Sequence, residues 1–96
     1  LPSEGSALTV VVTVRYFAAA QAAAGCAEEI VEIVGDTGVA ASVDGVLGAV
    51  AARHGEKLAH VLTACSVLLD EVAVRDRSAR VRAGAVLDVL PPFAGG

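Results

Sequence analysis

Residues 8–17 read LTVVVTVRYF. Leu8, Val10, Val12, Val14 and Tyr16 fall on one face of an extended chain without a polar interruption. Thr9, Val11, Thr13, Arg15 and Phe17 make up a mixed second face. That period of two predicts a central strand with one side on a core and the other half exposed. Working outward, the alanine-rich residues 18–24 predict a short helix, closed by Gly25. In residues 27–34, Glu28, Ile30, Glu32 and Val34 alternate with Ala27, Glu29, Val31 and Ile33. This is a second strand at a sheet edge, where glutamates discourage further pairing.

Residues 35–41 have turn composition, and a helix follows. Ser42 is a good N-cap, Asp44 suits the positive end of the helix dipole, and Arg53 and His54 suit the negative end. Gly55 supplies the stop. Val43, Val46, Leu47, Val50, Ala51 and His54 make one stripe at helical spacing. Gly45 and Gly48 each cost roughly 1 kcal/mol relative to alanine, and tight packing on the sheet is the expected reason for them. A shorter helix is expected over residues 56–62, then a hairpin of residues 65–70 and 72–75 turning at Asp70–Glu71. Residues 76–82 read as a polar loop rich in arginine, Gly84 as a turn, and residues 86–90 (VLDVL) as a last strand. Pro91 and Pro92 end it, since neither can donate to a sheet ladder. Strand, strand, helix and three further strands make an α+β roll with a mixed sheet and one main helix across it.

With 96 residues the chain is one small domain, and 55% hydrophobic content rules out disorder. Its aromatics are Tyr16, Phe17 and Phe93, so the core must be built from Val, Leu, Ile and Ala. Eleven acidic residues against seven basic give a net charge of −4, which argues against nucleic acid as a partner. No apolar run approaches the ~18 residues of a membrane span, and the N-terminus lacks the features of a signal peptide. The expectation is a soluble cytoplasmic protein without a membrane partner. It contains no methionine, so Leu1 is not expected to be the translated start.

Catalytic signatures are missing: there is no G-x-S-x-G, Walker A loop or G-x-G-x-x-G. Ser66, His60 and Asp70 make a triad only on paper. Cys26 and Cys65 are too far apart for a zinc motif, and adding His54 and His60 does not help. Buried free thiols, uncoordinated histidines near helix ends and no metal are expected. The acidic pairs Glu28–Glu29 and Asp70–Glu71 read as solvated edge and turn residues. Arg75, Arg77, Arg80 and Arg82 read as a solvated loop, with an acidic docking partner as the sharper alternative.

The end of the chain is different. A terminal Gly-Gly arises by chance in roughly one chain in 200 at average glycine usage, and here it follows a stiff Pro-Pro pair placed directly after a strand. Six extended residues reach about 20 Å beyond the fold. A tip without side chains can enter a channel closed to any other residue, and what it delivers there is the α-carboxylate of Gly96. Phe93, beside the prolines, has the character of an interface anchor.

The stretch VTVRYFAAAQAAAG (residues 12–25) and the ending VLDVLPPFAGG (residues 86–96) resemble the MoaD family, the small subunits of molybdopterin synthase. That family shares the ubiquitin-like β-grasp fold with the sulfur carrier ThiS. Two positions depart from its pattern: Ala85 stands after Gly84 where an acidic residue is usual, and Asp70–Glu71 replaces an Asn-Gly turn. The resemblance implies a β-grasp domain over residues 10–90, an N-terminal extension of residues 1–9 and a flexible tail of residues 91–96. It implies that Gly96 is adenylated and then converted to a thiocarboxylate, while Pro91, Pro92, Phe93, Ala94 and Gly95 bind partners. Those partners would be the large, MoaE-like synthase subunit, a MoeB-like adenylating enzyme that uses ATP, and a sulfur donor. The chain itself would bind no cofactor and would be carrier, not catalyst. Sulfur carriage for thiazole or cysteine synthesis, or ubiquitin-like protein modification, are the alternatives.

Overall fold

The structure, a computed structural model, describes residues 8–35 and 42–92, with the backbone alone at Leu8 and Gly35. The strands are β1 (Leu8–Tyr16), β2 (Glu28–Gly35), β3 (Ser66–Leu69), β4 (Val72–Ala73) and β5 (Val86–Leu90). The helices are α1 (Ala18–Ala24), α2 (Val43–His54) and α3 (Glu56–Leu62). One sheet has the order β2-β1-β5-β3-β4. β1 and β5 run parallel; every other neighbouring pair is antiparallel. The first and last strands thus lie side by side inside the sheet, and the chain leaves the fold from its middle. β1 begins two residues ahead of the expected domain start at Val10.

The faces fall as the alternation requires. Val12, Val14 and Tyr16 are buried, whereas Val11 and Phe17 are exposed. β2 is the edge strand expected of it, with Val31 buried and Ile30 and Val34 exposed. Leu87 and Val89 of β5 and Val67 of β3 complete the sheet side of the core. Over it pack Val43, Val46, Leu47 and Val50 from α2, Leu58 and Leu62 from α3, and Ala20 and Ala24 from α1. The core is therefore valine, leucine and alanine around Tyr16. Of the two isoleucines, Ile33 is partly buried and packs against this core, while Ile30 is exposed.

α2 is built by its caps. The Ser42 hydroxyl accepts from the Gly45 N–H at 3.0 Å, and the Gly55 N–H donates to the Ala51 carbonyl at 2.8 Å. Packing does not explain its glycines: both are exposed. A Cβ at Gly45 would meet only the Ser42 hydroxyl at 3.4 Å, and one at Gly48 would meet nothing within 4 Å. Nothing in the structure accounts for Gly48.

The loop before β5 is less solvated than its composition predicts. Val81 is fully buried. The Ala79 and Arg77 carbonyls accept from Val43 and Asp44 N–H at 3.0 and 2.8 Å, satisfying donors that the first turn of α2 leaves free. The Arg77 guanidinium donates to the carbonyls of Cys65 at 2.6 Å and Leu62 at 3.5 Å. Arg75, Arg80 and Arg82 are exposed, as expected.

Candidate functional site

Two places on the molecule carry groups that can do chemistry or bind. The first is the exit of β5. Leu90 pairs with Ser66, and the Phe17 N–H donates to the Val89 carbonyl at 3.2 Å, so the end of β1 lies against the end of β5. Phe17, Ala18, Ala19, Ser66, Leu90, Pro91 and Pro92 line a groove of about 680 Å³ there. Phe17, between β1 and α1, is 40% exposed. Ala18 turns the chain out of β1 with φ 52°, a left-handed conformation that alanine rarely adopts. Of the expected partner-binding residues, Pro91 and Pro92 form one wall of this groove. Phe93, Ala94, Gly95 and Gly96 lie outside the described residues.

The second place is Glu29, and here the expectation of a solvated edge carboxylate is corrected. Glu29 shares the inward side of β2 with Val31 and Ile33, so the carboxylate enters the layer between sheet and helices. Its Oε2 accepts from the Tyr16 hydroxyl and lies 2.6 Å from His54 Nε2, while Oε1 accepts from Arg53 at 2.7 Å. Burial by itself raises this carboxyl, but the bonds from Tyr16, His54 and Arg53 outweigh it and hold Glu29 below the usual carboxylate range. The same contact, added to burial, pushes the Tyr16 hydroxyl upward and keeps it a donor. The Tyr16 and His54 rings meet edge to face at 6.2 Å between centroids.

Cys26, set just beyond the α1 cap at Gly25, completes this cluster. The ligand atoms of Cys26, Glu29 and His54 lie within 4.8 Å of one another. Linear spacing concealed the group, because it draws on a turn, a strand and the end of a helix. The legible signal was an acid alternating with Val31 and Ile33 on a face that had to be buried. The other thiol, Cys65, is buried as expected, and burial raises its pKa.

Elsewhere polar groups are structural. Arg15 grips Asp88 through two bonds, Nε to Oδ1 and an amino nitrogen to Oδ2, on the outer face of the sheet. This explains an aspartate in the middle of VLDVL, where it is only 5% exposed. Asp70 accepts the Val86 N–H at 2.9 Å. Ser66, His60 and Asp70 are joined by no hydrogen bond among the described residues. No helix among those residues is long and apolar enough to cross a membrane.

A mixed five-stranded sheet with its first and last strands parallel and its helices on one face defines a ubiquitin-like β-grasp domain. The ThiS family pattern matches residues 14–96, and the chain belongs to that family of ThiS- and MoaD-like sulfur carriers. No curated protein matches the chain in sequence. Among solved structures, the putative molybdopterin converting factor subunit 1 of Pyrococcus furiosus is 25% identical, with a TM-score of 0.71 over 88% of this chain and 99% of that one. The small archaeal modifier protein 1 of Haloferax volcanii is 23% identical, with a TM-score of 0.74 over 90% and 99%, and shares the fold. Subunit 1 in a complex of subunits 1 and 2 of the Helicobacter pylori molybdopterin-converting factor is similar too, at 25% identity and a TM-score of 0.59 over 91% and 100%.

Proposed function

We propose that the chain is the small subunit of a molybdopterin synthase and carries sulfur as a thiocarboxylate on Gly96. The observation that carries this reading is the exit of β5: an inner strand runs straight into Pro91–Pro92 beside an apolar groove, and the sequence FAGG follows. A strand held on both sides fixes the base of the tail. The groove, with Phe17 and Leu90, offers apolar surface at the base of the tail, as an interface core requires. The resemblance of the tail to MoaD and the likeness to molybdopterin converting factor subunits support this pathway over thiazole or cysteine synthesis.

A free carboxylate is a poor acyl donor. The adenylating partner would join the Gly96 carboxylate to the AMP portion of ATP, releasing pyrophosphate. A sulfur donor would then displace AMP and leave the thiocarboxylate, so that one hard substitution becomes two easier ones. In the large subunit, sulfur would pass to the pterin precursor, and water would restore the carboxylate. Pro91, Pro92 and Phe93 would seat the tail, and Ala94 and Gly95 would thread the channel.

The test is intact-mass measurement of the chain after incubation with adenylating enzyme, ATP and a sulfur donor, followed by addition of the large subunit and the pterin precursor. Exchange of one oxygen for sulfur, reversed as dithiolene forms, is the expected result. Conjugates to lysine would instead mark a protein modifier. Sulfur gained but not released to the precursor would mark a carrier for another pathway.

A further inference from the structure

We infer that Cys26, Glu29 and His54 form a binding site for a zinc-class divalent cation, held by one thiolate, one carboxylate and one imidazole, with a fourth position open to solvent. The three donors come from separate elements brought together by the sheet. Cys26 follows the left-handed Gly25 that ends α1, Glu29 is the second residue of β2, and His54 is the last of α2. All three are half-buried, which excludes bulk water from most of the site while leaving one side accessible.

Zinc bonds of about 2.0–2.3 Å in a tetrahedron place donor atoms roughly 3.3–3.8 Å apart. His54 Nε2 and Glu29 Oε2 stand at 2.6 Å, and no pair of donors exceeds 4.8 Å. Side-chain shifts of about 1 Å therefore complete the geometry.

The donor set chooses the metal. Sulfur with imidazole favours zinc and its neighbours over magnesium and calcium, which take oxygen ligands. A thiolate and a carboxylate together neutralise a dication, and the C-terminal end of α2 adds negative potential beside His54. The Tyr16 hydroxyl and Arg53 already orient the Glu29 carboxylate, as outer-shell partners do at metal sites. Arg53 also acts against binding, since its positive charge lies on the same carboxylate. An open depression of about 370 Å³, lined by Ala18, Gln21, Ala22, Gly25 and Cys26, gives a route for the ion and room for a fourth ligand.

The experiment uses the full chain, free of any tag and stripped with chelator, titrated with cobalt(II) and then zinc. One cobalt per chain is expected, with a thiolate-to-cobalt charge-transfer band and the d–d absorption of a tetrahedral ion, both abolished by stoichiometric zinc. Cys26→Ser should remove the charge-transfer band and His54→Gln should weaken binding by roughly tenfold or more. Cys65→Ala should leave both unchanged. His54 packs on Tyr16, so Cys26→Ser, a near-isosteric change at a partly buried side chain, decides the matter if His54→Gln unfolds. No stoichiometric cobalt, or a charge-transfer band that survives Cys26→Ser, overturns the site.

Discussion

Glu29 shows how much one side chain of this protein depends on its surroundings. Its carboxylate is charged because three donors converge on it, against the effect of burial. Since its pKa in the folded chain lies below the ordinary 4.5, the unfolded state takes up the proton first as pH falls. The stabilisation is complete above that value and disappears as pH drops through the lower, folded one. Glu29→Gln, measured with chelator present, should cost about 1–2 kcal/mol at neutral pH, the Arg53 contact counting for little because it is half exposed. In a domain of this size that is a fall in Tm of about 5–10 °C. The gap between the variant and the parent should stay constant at neutral pH and narrow once pH falls below 4.5. A gap indifferent to pH would show that charge is not its source.

At the scale of elements, the β3–β4 hairpin and the β5 exit each carry a consequence. Asp70 and Glu71 turn with φ 48° and 72°, the pair of left-handed residues that a type I′ turn requires. Asp70 is retained for a reason, its carboxylate binding the Val86 N–H. Glu71 has no such contact among the described residues. Glu71→Gly removes a left-handed penalty of about 1–2 kcal/mol, partly offset by the freedom glycine gains on unfolding. A rise in Tm of a few degrees is expected by calorimetry, and a fall would mean that the Glu71 side chain holds the turn. At the β5 exit, Phe17 is already 40% exposed. Phe17→Ala should leave Tm within about 2 °C while weakening capture by the large subunit proposed above about tenfold, the loss typical of an aromatic anchor. Unchanged affinity would place the partner on another face.

For the molecule as a whole, fold and chemistry are separable. The last buried core residue is Val89, and the proposed reacting group is seven residues further on. Deletion of Gly96, or addition of any residue after it, should therefore leave the melting curve unchanged and abolish sulfur acquisition. Deletion sets the carboxylate about 3.5 Å short, and misplacement of about 1 Å can cost a hundredfold in rate. Extension replaces the carboxylate with a peptide bond. The check is the intact-mass assay with adenylating enzyme, ATP and sulfur donor; a variant that gains sulfur at the parent's rate would remove Gly96 from the mechanism.

What the sequence by itself determined is local. Alternation over β1 assigned Val12, Val14 and Tyr16 to the core, and Ser42, Arg53, His54 and Gly55 bounded α2, because side-chain direction and capping depend on neighbours a few residues away. The family motif at the tail was legible for the same reason. Tertiary structure alone decided which strands lie together, and with that every contact across long separation. Arg15 meets Asp88 because β1 and β5 pair in parallel. Cys26, Glu29 and His54 meet because β2 is the edge strand nearest the end of α2. Arg77 reaches the Cys65 carbonyl, and that of Leu62, which also accepts from the Cys65 N–H, because its loop folds back beside the end of α3. In each case groups far apart in the sequence meet in three dimensions, since sheet order, which no local period encodes, sets the distance between them.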